Sequence, residues 1–221
     1  MKRFAGYLLP MAAMMIFSGC LKYEPGTERI TEPIVTDIPE GGWTEETLTA
    51  VCSVDGVPLT QPVTLRDFGM DYRYELPWGT KSITDPDYPE AQPYCYLEGQ
   101  NTYFVSFPRG TQTDTLNADT PIIAISAYAY PDGEERPFYV NGITYGCTEQ
   151  EMTDALGEPQ YRNEGQTEEG QVFGVTCQYD SSATGEPILN IYFKSNDEGE
   201  LVLFYISLDV SGENQWKEAR K

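Results

Sequence analysis

Tyr145-Gly-Cys-Thr-Glu-Gln-Glu-Met-Thr-Asp-Ala-Leu-Gly-Glu-Pro159 is the stretch from which the fold can be read. Thr148 and Glu151 have capping-box spacing, in which each side chain satisfies the other residue's backbone N–H at the start of a helix. Gly157 stands where a helix ends and Pro159 blocks its continuation. A short helix over 148–156 is therefore expected. Upstream, Thr64-Leu-Arg-Asp-Phe68 followed by Gly69 is a weaker version of the same signal.

Each helix follows a similar segment. Val54-Asp55-Gly56-Val57-Pro58-Leu59 precedes the weak one and Val140-Asn141-Gly142-Ile143-Thr144-Tyr145 the strong one, at an offset of 86 residues from Val54 to Val140. After each helix come a loop, a cysteine-bearing strand (Cys95, Cys177) and two more strands. The same order repeated twice points to two related halves; one irregular domain with a coincidental likeness is the alternative. Five stretches dense in β-branched and aromatic residues read as strands: Tyr103 to Phe107, Ile122 to Tyr130, Val172 to Tyr179, Leu189 to Phe193 and Leu201 to Leu208. Turn formers such as Pro131-Asp132-Gly133 separate them. The expected class is α+β, with short helices packed on antiparallel sheet in two tandem halves, 48–138 and 139–211, followed by a polar tail, 212–221.

Gly146, Thr148, Glu151, Met152, Leu156, Gly157 and Pro159 together resemble the Gly-x-Thr-x-x-Glu-apolar-x-x-x-Leu-Gly-x-Pro run shared by β-lactamase inhibitor protein-like domains and the small outer-membrane assembly lipoproteins. The resemblance implies a capped helix on an antiparallel sheet. It covers about fifteen residues well and the second half loosely, and every matching position is structural, so it implies no activity. The inhibitor proteins carry two tandem units, whereas the first unit here has only a degenerate helix. The chain is also similar to long acidic lipoproteins of Gram-positive gut bacteria, a kinship that brings no function.

The N-terminus has the layout of a secretory signal: Met1-Lys2-Arg3, a mostly apolar run from Phe4 to Phe17, then Ser18-Gly19-Cys20. The apolar run is shorter than the roughly 20 residues that a membrane-spanning helix needs, and Pro10 weakens it further. Cys20 after Ser-Gly resembles the bacterial lipobox, with Phe17 where leucine is usual. The resemblance implies a cleaved leader, 1–19, and a lipid on Cys20 that holds the chain at a cell membrane. The chain would face the extracellular side, or the periplasm of a Gram-negative cell. An ordinary signal peptide is the other reading.

Residues 20–47, with Pro25, Pro33, Pro39, Gly26, Gly41 and Gly42 and no sustained apolar period, read as a flexible tether. An arm docked through Ile30, Ile34, Val35 and Ile38 is the alternative.

The formal net charge is −21, with 35 acidic residues against 14 basic ones and no histidine. Such a charge repels nucleic acid and anionic lipid headgroups, so the membrane is expected as a partner only through the N-terminal lipid. Without histidine there is no Ser-His-Asp or Cys-His chemistry. Acidic pairs such as Asp85/Asp87/Glu90, Glu149/Glu151 and Asp197/Glu198/Glu200 fall in turns or on a helix's solvent face, where solvation and not catalysis is expected. Neither Asp85-Pro86-Asp87 nor Asp197-Glu198-Gly199-Glu200 has EF-hand spacing. No enzyme activity, cofactor or metal is expected. Cys52, Cys95, Cys147 and Cys177 either form bridges, in one of three pairings, or remain reduced and buried.

Strand alternation sends Val202, Phe204, Ile206 and Leu208 to one face and Leu203 and Tyr205 to the other. Tyr128 and Tyr130 oppose Ile123, Ile125 and Ala127, and Tyr192 opposes Leu189, Ile191 and Phe193. Tyr94, Tyr96 and Phe104 fall on the outward parity if Cys95, Val105 and Phe107 face inward. In one sheet, Tyr94, Tyr96, Phe104, Tyr128, Tyr130, Tyr192 and Tyr205 would line the uncovered side. Aromatic side chains with polar tips favour protein or glycan partners, although tyrosine also lines sheets that bind nothing. The expectation is a non-enzymatic binding module, with inhibition of a secreted hydrolase as the alternative.

Overall fold

A computed structural model describes residues 20–21, 29–68, 72–75, 94–97, 103–108, 111, 116–129 and 137–212. In chain order the elements are β1 (Cys20–Leu21), α1 (Glu45–Thr49), β2 (Cys52–Val54), β3 (Val57–Pro58), α2 (Leu65–Phe68) and β4 (Tyr72–Glu75). Next come β5 (Tyr94–Leu97), β6 (Tyr103–Ser106), β7 (Ala124–Tyr128), β8 (Phe138–Val140) and α3 (Glu149–Leu156). The chain then runs through β9 (Tyr161–Gln166), β10 (Val172–Asp180), β11 (Pro187–Ser195) and β12 (Leu201–Asp209).

Nine strands form one antiparallel sheet in the order β1-β4-β5-β6-β7-β12-β11-β10-β9, and β3-β2-β8 form a second, three-stranded sheet. The α+β class with short helices and antiparallel sheet holds. Outward from the central β7–β12 pair, the strands run β6, β5, β4 on one side and β11, β10, β9 on the other.

The small sheet has its own symmetry. Asp55-Gly56 and Asn141-Gly142 both turn with two consecutive positive φ angles (50° and 76°; 47° and 89°). That is the tight hairpin turn whose twist matches its strands, and Asx-Gly is its preferred pair. Cys52 pairs with Val140 and Val54 with Phe138. The Asp55 N–H donates to the Pro137 carbonyl and the Asn141 N–H to that of Val51, both at 2.9 Å. An 86-residue shift converts each bond into the other.

Helix α3 forms as its punctuation predicts. Thr148 is the N-cap, Glu151 completes the capping box and Gly157 ends the helix at φ 84°. The Thr148 N–H donates to Glu151 Oε2 at 2.7 Å, and this bond chiefly holds the Glu151 carboxyl below its ordinary range. Met152 and Leu156 are buried in a core with Val105, Ile125, Ile206, Leu208, Ile191, Phe193 and Val175 from one face of the large sheet. Fully burying such a side chain contributes about 1.5–3 kcal/mol.

Two expectations need correction, and the alternatives for the cysteines narrow. From residue 29 onward, the segment read as a tether lies against the domain. Ile30 N–H donates to Gly56 O, the Thr36 N–H bonds Asn141 Oδ1 at 2.8 Å, and Trp43 is only 4% exposed. Ile34 packs on the core, and α1 lies partly within the same stretch. The apolar anchors are sparse but each meets a prepared site, so composition alone understates their docking.

Cys52, Cys147 and Cys177 are free thiols, so no bridge joins any two of them. Cys52 lies in the core and donates to the Leu48 carbonyl at 3.1 Å. Burial pushes its pKa up, and raises that of Cys177 to about 11. Neutral, inert thiols follow from that setting.

Phe204, assigned inward by alternation, belongs to the outer face, and Leu203, assigned outward, is 1% exposed. The register between β11 and β12 slips between the Tyr192–Tyr205 and Phe193–Leu203 pairs. Phe204 is the extra residue of that bulge, and parity reverses across it.

Candidate functional site

The outer face of the large sheet can be built row by row from the register. Directly opposed residues of antiparallel neighbours share a face. One row is Phe104, Ser126, Ser207, Asn190, Gln178 and Tyr161; the next is Tyr128, Tyr205, Tyr192, Thr176 and Asn163. In a chain with 35 acidic residues, neither row holds a charge from β6 to β9, and the first continues beyond Phe104 through Tyr96 to Arg73.

Two bulges add rings to this surface. One is the slip at Phe204. The other lies between Val172 and Gly174, where β10 shifts against β9 and Phe173 becomes the unpaired residue. A Cβ on Gly165 would stand 2.8 Å from Phe173 Cζ, and one on Gly174 would stand 2.7 Å from Tyr192 Cζ. Gly165 and Gly174 oppose each other, so Phe173 and Tyr192 lie over a glycine floor on the same side.

The rings touch in sequence. Phe104 meets Tyr128 edge-on (6.1 Å, 85°), and Tyr128 meets Tyr205 at 4.5 Å and Phe204 at 5.8 Å. Phe204 meets Tyr192 edge-on (6.5 Å, 80°), and the Lys194 ammonium sits 5.0 Å from the Phe204 centroid. Aromatic pairs of this kind add about 0.5–1.5 kcal/mol beyond their buried area, which pre-orders the cluster. Tyr128, Phe173 and Tyr161 are 37%, 49% and 52% exposed, making them three of the five exposed large apolar side chains among the described residues.

Of the tyrosines expected here, Tyr128, Tyr192 and Tyr205 are brought together with Phe104. The register sets Tyr96 opposite Phe104 and Tyr94 opposite Ser106. Tyr130 lies outside the described residues. Sequence reasoning missed Phe204, Phe173 and Tyr161. Gly174 inside a strand was a readable sign of close approach, and Leu201 to Ile206 is an apolar run that strict alternation does not fit.

Gly174→Ala tests the floor directly. The methyl group has to displace the Tyr192 ring, whose far end can move, while alanine loses less backbone entropy on folding than glycine, a gain of about 0.5–1 kcal/mol. The expected outcome is unchanged or slightly raised stability, with loss of the ring-current shifts between Tyr192 and Phe204 in NMR spectra. Retention of those shifts would count against the packing described.

Among the described residues, the acidic side chains offer no comparable constellation. Glu149 is paired to Arg162, whose Nη1 also reaches Glu164 at 2.6 Å; this ties edge strand β9 to α3. Arg162, then Gln166, hold Glu164 below the ordinary carboxylate range. Among the described residues no three acidic or thiol groups converge as metal ligands, and Asp85, Asp87 and Glu90 lie outside those residues. Glu45, 3% exposed, accepts from Gln61 Nε2 at 2.6 Å and from the Gly212 N–H. Beside it lies a cavity of about 510 Å³ lined in part by Glu46, Thr60, Gln61, Pro121, Val210 and Ser211.

No protein-family model, curated protein or solved structure matches the chain.

Proposed function

We propose that this protein is a non-enzymatic binding module, held at the outer side of a cell membrane by a lipid on Cys20, that takes a protein or glycan partner on its aromatic sheet face. The observation that carries this reading is the aromatic surface formed by Phe104, Tyr128, Phe204, Tyr205, Tyr192 and Phe173, with the Lys194 ammonium beside it. Rigid rings with polar tips lose little entropy when they bind and are the usual anchors of interfaces. The signal-like leader and Cys20 support the anchor. The mirrored strand order and the 86-residue shift support two tandem related halves.

The test is affinity capture with the full-length protein from envelope and medium extracts, in parallel with Phe104→Ala/Tyr192→Ala/Tyr205→Ala. A partner held by the natural protein and lost by the variant is expected; identical capture by both would reject the face. Separately, Cys20→Ser should move the protein from the detergent phase to the aqueous phase, and unchanged partitioning would refute lipidation.

Inhibition of a secreted hydrolase is the second reading, favoured by the mirrored strand order together with the sequence run from Tyr145 to Pro159 that resembles the tandem inhibitor proteins. Purified protein should then inhibit a secreted β-lactamase or protease, and inactivity against both classes would sink this reading.

A further inference from the structure

Two hairpin loops at one end of the sheet have the same design. Thr167-Glu168-Glu169-Gly170-Gln171 joins β9 to β10, and Asn196-Asp197-Glu198-Gly199-Glu200 joins β11 to β12. In each, the first N–H donates to the last carbonyl (2.9 and 2.8 Å) and the glycine N–H donates to the first carbonyl (2.9 and 3.0 Å). In each, the side-chain oxygen of the first residue accepts from the last N–H (3.2 and 2.8 Å). The backbone is thereby fixed, and a pair of adjacent, exposed carboxylates stands at each tip.

Alternate connections of an antiparallel meander fall at the same end. The two tips are therefore two strand spacings apart, about 10 Å, close to the Debye length of roughly 8 Å at physiological salt. Their like charges repel, and the fold holds them together nonetheless. They border the rings: Phe173 follows one loop by two residues, and Lys194, over Phe204, precedes the other by two.

Resting on the reading of the aromatic face as a binding surface, we propose that the partner is a basic polypeptide segment. Its aromatic or branched apolar side chain seats on Tyr128, Phe204, Tyr205 and Tyr192. Its flanking lysines or arginines meet Glu168, Glu169, Asp197, Glu198 and Glu200. In these two loops and the strand residues beside them, five carboxylates face the ammonium of Lys194, and the net charge of −21 adds long-range attraction for cations. Tyrosine faces also attract lysine and arginine directly.

Other occupants fit less well. An anionic bilayer and a second copy of this chain both meet like charge. A neutral glycan leaves the carboxylates of the two loops without a counter-charge.

The test uses the full chain and a set of labelled peptides with a central tryptophan or leucine flanked by lysine/arginine, by serine or by glutamate. Neutral oligosaccharides and anionic phosphatidylglycerol vesicles complete the set. Fluorescence anisotropy should show the basic peptides binding at least tenfold tighter than the serine peptides, with affinity falling as salt rises. Glu168→Gln/Glu169→Gln/Asp197→Asn/Glu198→Gln keeps the loop hydrogen bonds described above; it should lose about tenfold for basic peptides and flatten the salt dependence. Tyr128→Ala/Phe204→Ala/Tyr205→Ala should lose binding of every peptide. Serine peptides that bind as well as basic ones and are lost only with the rings would overturn the basic partner and leave the face intact. A ring variant that binds like the natural protein would overturn both. Preference for the oligosaccharide or the vesicle would also overturn the proposal.

Discussion

Trp43→Ala is expected to lower the unfolding free energy by about 4 kcal/mol, within the range for removing a buried tryptophan. Trp43 comes from the stretch that reads as a tether, yet it is 4% exposed. Its Nε1–H donates to the carbonyl of Leu156, the last residue of α3, at 2.9 Å. That carbonyl is one of those a helix leaves unpaired at its C-terminus, so the indole both fills the core and closes the helix. The Trp43 carbonyl in turn accepts from the Ser182 N–H at 2.7 Å, and Ser182 Oγ donates to the Gly42 carbonyl at 3.3 Å, which ties the arm to the β10–β11 loop. Trp43→Phe keeps most of the packing but leaves the Leu156 carbonyl without the indole donor, for an expected loss of about 1–2 kcal/mol. Urea unfolding of both variants separates packing from the bond. A loss under 1 kcal/mol for Trp43→Ala would mean that the arm contributes little to the folded domain and acts as a tether after all.

How legible these features were depended on whether their cause was local. Helix α3 was readable because its cap, box and stop are all decided within twelve residues. Strand β11 was readable because Leu189, Ile191 and Phe193 alternate cleanly against Asn190 and Tyr192. The arm was not, because what orders it is distant: Trp43 needs Leu156 and Thr36 needs Asn141. Strand β9, Tyr161-Arg-Asn-Glu-Gly-Gln166, has no apolar period at all. It is an edge strand held by its ladder to β10 and by the Arg162–Glu149 pair, and charge on an edge is the usual guard against wrong pairing.

The candidate site shows the same division. Tyr128, Tyr192 and Tyr205 could be assigned from parity on short, regular stretches. Phe204 and Phe173 could not, since a bulge inserts one residue and reverses every assignment beyond it. Both bulges place a phenylalanine on the outer face, so the errors fall where the surface departs from a regular sheet. Of the two acidic loops, only 197–200 stood out in the sequence, as solvated charge in a turn. That they share one geometry and one end of the sheet follows from the strand order, which no local pattern contains.

Asn141→Ala is expected to cost about 3–4 kcal/mol: roughly 1 kcal/mol for each of three hydrogen bonds and about 1 more for a methyl side chain at positive φ. Asn141 is 2% exposed at φ 47°. Its Oδ1 accepts from the Thr36 N–H at 2.8 Å, and its Nδ2 donates to the carbonyls of Thr36 at 3.1 Å and Ala155 at 2.7 Å. One amide therefore clamps the arm to the turn and the turn to the end of α3. Asn141→Gly relieves the backbone but not the bonds, so it should lose about 1 kcal/mol less than alanine. Asn141→Asp puts an acceptor against two carbonyls and should be no better than alanine. Asp55, at the equivalent turn position with φ 50°, pairs instead with Arg29 at the partly exposed surface. Asp55→Ala should therefore cost only about 1–2 kcal/mol, the backbone contribution plus a weak surface pair. The comparison by urea unfolding decides what the repeated turn does. A larger loss at Asn141 means that the second copy became the lock for the arm. Equal losses would mean that the turn conformation alone matters and that the clamp contributes nothing.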